Sequence, residues 1–249
     1  MCLLTIVYRT SASAPIMVAA NREEFFNRPS SPPEIHDGAP RVLCGTDLRA
    51  GGTWLGVNEH GLVVAVTNRL KATLPAAPRS RGVLCRELLK CKSASEAAER
   101  AVRELQTGQY AGANYVCLDF SNGYVVHGGD VLRAIALDPG VHLITNADLD
   151  DPLDRRQKYV RRLLAPRFPR DAAAFLAAMR AILPQGPDAT TGETVLVRFD
   201  NRGTVSSSIL ALTRRAEEAV LQVASGSPDC TPYVDQSDLL RKVLSRPVA

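Results

Sequence analysis

An apolar run, Leu3-Leu4-Thr5-Ile6-Val7-Tyr8, follows Cys2 at once. A short run of this kind predicts a buried strand over 2–8. Residues 11–14 form a turn, and 15–20 a second strand whose Pro15 takes the first position, where a missing N–H is tolerated. Two strands joined by a short turn predict a hairpin. In a simple register that hairpin carries Asn21-Arg22-Glu23-Glu24, at the end of the second strand, back toward the first and makes Cys2 and Asn21 neighbours. Residues 25–41 are Pro-rich and predict irregular chain. Gly51-Gly52-Thr53-Trp54 leads into a strand, Asn58-Glu59-His60-Gly61 turns, and 62–67 (LVVAVT) is a continuous apolar strand ending at Asn68.

After a loop to Ser80 the period becomes helical. One helix is predicted over 81–91. A second opens at Ser93-x-x-Glu96, a capping box, with Ala97, Ala101, Val102 and Leu105 on one stripe. Strands return at 114–120 and 124–127 around Asn122-Gly123, a strong hairpin signal. Strands at 131–137 and 141–145 follow, joined by Asp138-Pro139-Gly140, and the later one ends at Asn146. Helices are predicted at 153–164 and 171–183, strands at 194–199, 204–212 and 219–224, and a short helix at 235–244. Strands that are nearly all apolar (LVVAVT, VHLIT, TVLVRF) require cover on both faces. Two mainly antiparallel sheets packed together with helices outside, an α+β fold in a single domain over 1–249, satisfy this. There is no strict strand–helix alternation and no GxGxxG, which argues against a dinucleotide-binding fold.

Composition narrows the function classes. The 249 residues are 45% hydrophobic and 22% charged, with a net charge of +4. The basic residues are scattered, without the basic face interleaved with aromatics that nucleic-acid binding uses. Six cysteines and four histidines are dispersed, with no CxxC and no paired His, so no metal site is expected. Such thiols without a disulfide framework predict a reducing, cytoplasmic location. The first residues mimic a secretory signal but lack a basic start, and Arg9 interrupts them. No apolar run reaches the length of a membrane span.

Candidate chemistry begins at Cys2. If Met1 is removed, one residue carries both a thiol and a free α-amine, and the amine can serve the thiol as base. At neutral pH about 3% of an ordinary thiol is ionised, whereas roughly 10–20% of an α-amine is already neutral. Three predicted strands end in Asn: Asn21, Asn68 and Asn146, with Arg22 beside the first. Acyl transfer from an amide needs a nucleophile, a base and donors aimed at the oxyanion. Asn carboxamides are suitable donors, and Gly51-Gly52 offers backbone N–H groups.

These residues carry a resemblance. Ala19-Ala20-Asn21-Arg22-Glu23-Glu24-Phe25-Phe26-Asn27-Arg28-Pro29 resembles the signature of the NRDE family, which includes the transport and Golgi organisation 2 proteins. Met1-Cys2, the segment 45–56 (GTDLRAGGTWLG), Thr67-Asn68-Arg69, Thr145-Asn146-Ala147 with Leu149-Asp150, and Gly203-Thr204-Val205-Ser206-Ser207-Ser208 extend it over almost the whole chain. That family is similar to N-terminal nucleophile hydrolases, especially the choloylglycine hydrolase and penicillin V acylase group. The resemblance implies a four-layer αββα sandwich with Cys2 as nucleophile and its own amine as base. It implies that Arg22 and Glu23 hold and polarise thiol and amine, and that Asn68 and Asn146 serve the oxyanion and orient the amine. Gly51, Gly52 and Trp54 fall on the substrate side. Two departures stand out: Glu23 replaces the family's Asp, and Val205 replaces an Arg that many members have.

Two readings stay open. One is a hydrolase or acyltransferase acting on a non-peptide carbon–nitrogen bond of a small-molecule amide or acyl compound, with no cofactor. The other is a non-enzymatic carrier of an amphipathic ligand such as haem or an acyl-CoA thioester. Haem would want an axial ligand, for which Cys2 has no evident partner.

Overall fold

The structure, a computed structural model, describes residues 2–245. In chain order the strands are β1 (Cys2–Tyr8), β2 (Ile16–Phe25), β3 (Glu34–His36), β4 (Val42–Cys44), β5 (Leu55–Asn58), β6 (Val63–Asn68), β7 (Ala113–Leu118), β8 (Gly123–Gly128), β9 (Leu132–Ala136), β10 (Gly140–Ile144), β11 (Arg202–Leu212), β12 (Val220–Ala224) and β13 (Val234–Asp235). The helices are α1 (Arg81–Leu88), α2 (Ala94–Gln106), α3 (Arg155–Leu164), α4 (Ala172–Ile182) and α5 (Ser237–Leu244). The chain divides into two compact units, each built from two separate stretches of sequence.

The first unit holds the chain up to Asn27 and Pro139–Ser237. Its sheet has six strands in the order β10-β1-β2-β11-β12-β13, all antiparallel. Side chains on alternate positions share a face. Leu3, Val7, Met17, Ala19, Ile209 and Ala211 form one apolar face, and Val160, Leu164, Phe175 and Met179 of α3 and α4 pack on it. Each helix begins at an Asp cap: the Asp154 carboxylate accepts from Gln157 N–H, and that of Asp171 from Ala174 N–H. Each cap satisfies one of the backbone donors that a helix start leaves open.

The second unit holds Arg28–Asp138 and the chain from Asp238 on. Its seven strands run in sequence order, β3 to β9. Its apolar face is covered by α1 and α2. Ala94, Ala97, Ala98 and Ala101 of α2 form a small-residue stripe, followed by Leu105, and pack in one core with Tyr115 and Val126. Ser93 caps α2 by accepting from Glu96 N–H, and the Glu96 carboxylate accepts from Lys92 N–H rather than from Ser93 itself. Arg41 pairs with Glu59 at 2.8 Å and donates to the carbonyls of Val243 and Ser245, closing the C-terminus of α5.

Three expectations need correction. The second strand runs on through Asn21–Glu24 to Phe25, because the polar stretch Gly203–Ser207 of β11 gives it a partner. The hairpin register pairs Cys2 with Arg22 and Leu3 with Asn21, so Asn21 faces away from Cys2. β9 and β10, joined by Asp138-Pro139, belong to different sheets. Residues 194–199 form no strand. β2 lines one edge of β11, and β12 takes the other from Ser207 on. Only the Arg198–Gly203 bridge remains for 194–199, and the N–H groups of Val195 and Leu196 go to the Gln185 carbonyl. β3, β4 and β13 are short strands inside stretches that carry no clear alternation.

Gly52 marks the tightest backbone approach in the second unit. A Cβ there would lie 2.1 Å from the Gly82 carbonyl carbon, at the start of α1. Gly51 has φ +71°, but a Cβ on it meets nothing within 4 Å. Gly52→Ala should therefore cost at least about 2 kcal/mol in urea unfolding, since backbone must move. Gly51→Ala should cost only about 1–2 kcal/mol, the penalty of a left-handed residue. Equal losses would contradict this packing.

Candidate active site

Cys2 is the first residue of β1 and is partly exposed. Arg22 stands opposite it on β2, and Ser206 stands opposite Arg22 on β11. Directly opposed residues of antiparallel strands share a face, so thiol, guanidinium and hydroxyl form one row about 10 Å long. Arg22 and Ser206 are buried, and Ser206 Oγ has no hydrogen-bond partner among the described residues. Burial pushes the Cys2 thiol above its ordinary value, and the Glu23 carboxylate adds to this. The Glu23 backbone N–H and the Arg22 charge oppose the rise without cancelling it. The thiol is thus protonated at neutral pH, and a reaction at sulfur needs a base.

Glu23 is the anchor of this corner. Its side chain is 4% exposed, and Arg156 of α3 grips both carboxylate oxygens, at 2.7 and 3.1 Å. Arg156 also donates to the Val195 carbonyl, and the Thr204 hydroxyl reaches Glu23 at 3.5 Å. One ion pair thus joins β2, α3, β11 and the segment after α4. Such a pair, desolvated on both sides, is held by its geometry and its extra hydrogen bonds. Val205 lies between Thr204, which opposes Glu23, and Ser206, which opposes Arg22. It is the extra residue of a β-bulge.

Asn21 sits on the other face. Its Nδ2 donates to the Leu183 carbonyl at 3.0 Å and so satisfies an open acceptor at the end of α4. That is a structural task on the helix-covered side. Asn146 follows β10 in a loop fixed by its neighbours. The Thr145 hydroxyl donates to Asp154, Gln157 donates to the Asp148 carbonyl, and Asp150 bonds His142 at 2.7 Å and Arg161 at 2.6 Å. Burial raises the Asp150 carboxyl, but His142, the Leu143 N–H and Arg161 outweigh it and hold it below the usual range. Asn146 and Arg156 both line a cavity of about 500 Å³ in the first unit.

The remaining sequence candidates belong to the second unit. Asn68 ends β6 opposite Ala113, and its side chain has no hydrogen-bond partner among the described residues. Beside it, Thr67, Asn114 and His127 make a buried cross-strand row: His127 Nδ1 lies 2.7 Å from Asn114 Oδ1, and Asn114 Nδ2 donates to the Thr67 hydroxyl. The Gly51 N–H is spent on the Asp47 carbonyl, Gly52 on the contact with Gly82, and the Trp54 ring packs against Gly45. Asp47 in turn pairs with Arg28 at 2.6 Å and accepts from Arg49 N–H, which fixes the loop. So Cys2, Arg22 and Glu23 are gathered on neighbouring strands, with Asn146 sharing a wall with Arg156. Asn21 is turned away. Arg156, Ser206 and the His127 row were not singled out from sequence. Counting outward from the Asn122-Gly123 pair would have set His127 against Leu118; the loop falls instead at 119–122, Gly123 opens β8 opposite Leu118, and His127 meets Asn114. Nothing local marks Arg156.

Residues 1–172 match the family model described as Transport and Golgi organisation 2. The chain belongs to the Transport and Golgi organisation 2 family. It is 30% identical over 192 residues to a Bos taurus Transport and Golgi organization protein 2 homolog, covering 70% of this chain and 68% of that one. It is 32% identical over 149 residues to the Mus musculus and Homo sapiens homologs, covering 55% of this chain. The match spans about half the length of those two relatives, 52% in each. Among solved structures, this Transport and Golgi organisation 2 chain is similar to a Caenorhabditis elegans N-acylethanolamine-hydrolyzing acid amidase ortholog. The TM-score is 0.59 at 13% identity, over 97% of this chain and 98% of that one. It is also similar to a variant of a conjugated bile acid hydrolase from Clostridium perfringens, with TM-score 0.57 at 12% identity, over 95% and 93%. The family member thus has the α+β fold of N-terminal nucleophile hydrolases. Among its described residues no helix is long and apolar enough to cross a membrane.

Glu23→Gln would leave Arg156 without its counter-charge in a site where the guanidinium side chain is 14% exposed. The loss expected in urea unfolding is about 3 kcal/mol. Glu23→Asp, which restores the residue of the family signature, should cost clearly less. A Glu23→Gln protein as stable as the parent would remove the ion pair from the account of this corner.

Proposed function

We propose that this chain is an N-terminal cysteine hydrolase acting on a non-peptide amide, with Cys2 as nucleophile once Met1 is removed. The observation that carries the reading is the row of Cys2 and buried Arg22 beside Glu23 at the start of β1, in a fold whose solved neighbours include an amidase and a bile acid hydrolase. The freed α-amine of Cys2 takes the thiol proton. The sulfur attacks the amide carbonyl, and the carbonyl π electrons move onto oxygen. Asn146 supplies N–H donors for that oxyanion. Collapse breaks the C–N bond, the departing nitrogen takes the proton held by the α-amine, and a thioester remains. Water adds to the thioester, its proton returns to sulfur through the same amine, and the acid leaves. An amine in place of water would make the same enzyme an acyltransferase.

A raised thiol and an adjacent amine make opposite demands on pH, and this gives the test. With Met1 retained, iodoacetamide should alkylate Cys2 slowly at about pH 7.5, with the rate climbing only in the alkaline range. With Met1 removed, shown by intact mass, the rate should rise through the α-amine range of about 7.7–8.0. A panel of N-acyl amides should yield released amine from the processed protein and none from Cys2→Ala. Turnover that survives Cys2→Ala, or a chain that always keeps Met1, would overturn the proposal.

A further inference from the structure

The 500 Å³ cavity of the first unit lies outside the Cys2–Arg22 row but shares the Glu23–Arg156 pair with it. Its apolar lining includes Pro187, Leu196, Val197 and Phe199, the last 49% exposed with the Arg202 guanidinium 5.2 Å over its ring. The charged residues of the lining have protein partners, with Arg156 Nε alone left unbonded among their buried nitrogens. Arg156 is held by Glu23 and the Val195 carbonyl, Arg198 by Asp229, and Arg155 by the Thr191 carbonyl. Glu193 is paired with Arg162, and Asp154 caps α3. Asn146 also lines the cavity, and its side chain has no hydrogen-bond partner among the described residues.

We infer that this cavity is a binding site for a neutral, largely apolar acyl amide, a class that deepens the hydrolase reading and rests on it. A carboxamide offers one acceptor and two donor hydrogens. A ligand amide presents the matching carbonyl and N–H, so it satisfies both ends of Asn146 at once. The apolar lining takes the acyl part, and the volume falls in the range that holds small-molecule ligands, about 300–1,000 Å³. The lining carries three guanidiniums, of Arg155, Arg156 and Arg198, and three carboxylates, of Asp154, Glu193 and Asp229, so its charges balance and favour neither an anion nor a cation.

The cavity provides its own blocking position. Gly186 lines it, and a Cβ built there meets nothing within 4 Å. Gly186→Phe therefore starts a bulky side chain from a position where its Cβ is unobstructed. The test uses the full chain and the Cys2→Ala variant, with N-phenyl-1-naphthylamine as fluorescent probe and octanamide as competitor. The probe should bind both proteins and be displaced by octanamide. Gly186→Phe and Asn146→Ala should each weaken octanamide by about tenfold or more, a difference of about 1.4 kcal/mol. Gly186→Phe should unfold at an unchanged urea midpoint. Octanamide affinity unaltered by Gly186→Phe would overturn the inference, as would haem or a CoA thioester displacing the probe better than octanamide. Octanamide binding that persists while no amide is hydrolysed would leave the cavity assignment standing and sink the hydrolase reading alone.

Discussion

A carboxylate with almost no access to water governs the first unit. Glu23 is embedded in the middle of a sheet, where an unpaired charge would be prohibitively desolvated. Arg156 resolves this, and in doing so fixes which turn of α3 faces β2 and where the chain after α4 must pass, since the same guanidinium takes the Val195 carbonyl. Cys2 inherits its setting from that arrangement. The strand carrying Glu23 sets the register against β1, the register puts Arg22 opposite the thiol, and burial, with the Glu23 charge added to it, raises the thiol above its ordinary value. The setting of Cys2 and the packing of α3 are thus tied to one buried pair.

The second unit solves a different problem. Its sheet follows chain order, so local turns do most of the assembly, and loop closure is inexpensive. Close approach rather than charge is the constraint. Gly52 lies against Gly82, Gly56 admits Leu89, and alanines carry α2 down onto the sheet. The buried row of Thr67, Asn114 and His127 is the polar exception, and it is satisfied from strand to strand.

Much of the fold was legible because the signals were local. Apolar runs gave β1 and β6, Asn122-Gly123 gave the β7–β8 hairpin, and Ser93, Asp154 and Asp171 mark helix starts by side-chain caps. The segment 194–199 misled because its composition is that of a strand, while edge availability is a property of the sheet. β2 was cut short for the converse reason: its polar residues read as a turn but pair with a polar partner 180 residues away. At the site, Cys2, Arg22 and Glu23 were visible as a motif. A one-residue difference in register was enough to exchange Asn21 for Arg22 as the neighbour of the thiol. Arg156 lay beyond sequence reasoning, since a helix-surface arginine and a buried partner look alike in one dimension.

Val205 has a freedom that its neighbours lack. As the supernumerary residue of β11 it opposes no one, so the ladder on either side is indifferent to what stands there. Size and charge at that point can drift from valine to arginine without moving Thr204 off Glu23 or Ser206 off Arg22. A fold that locks this corner so tightly still leaves one adjoining position outside the ladder's constraint.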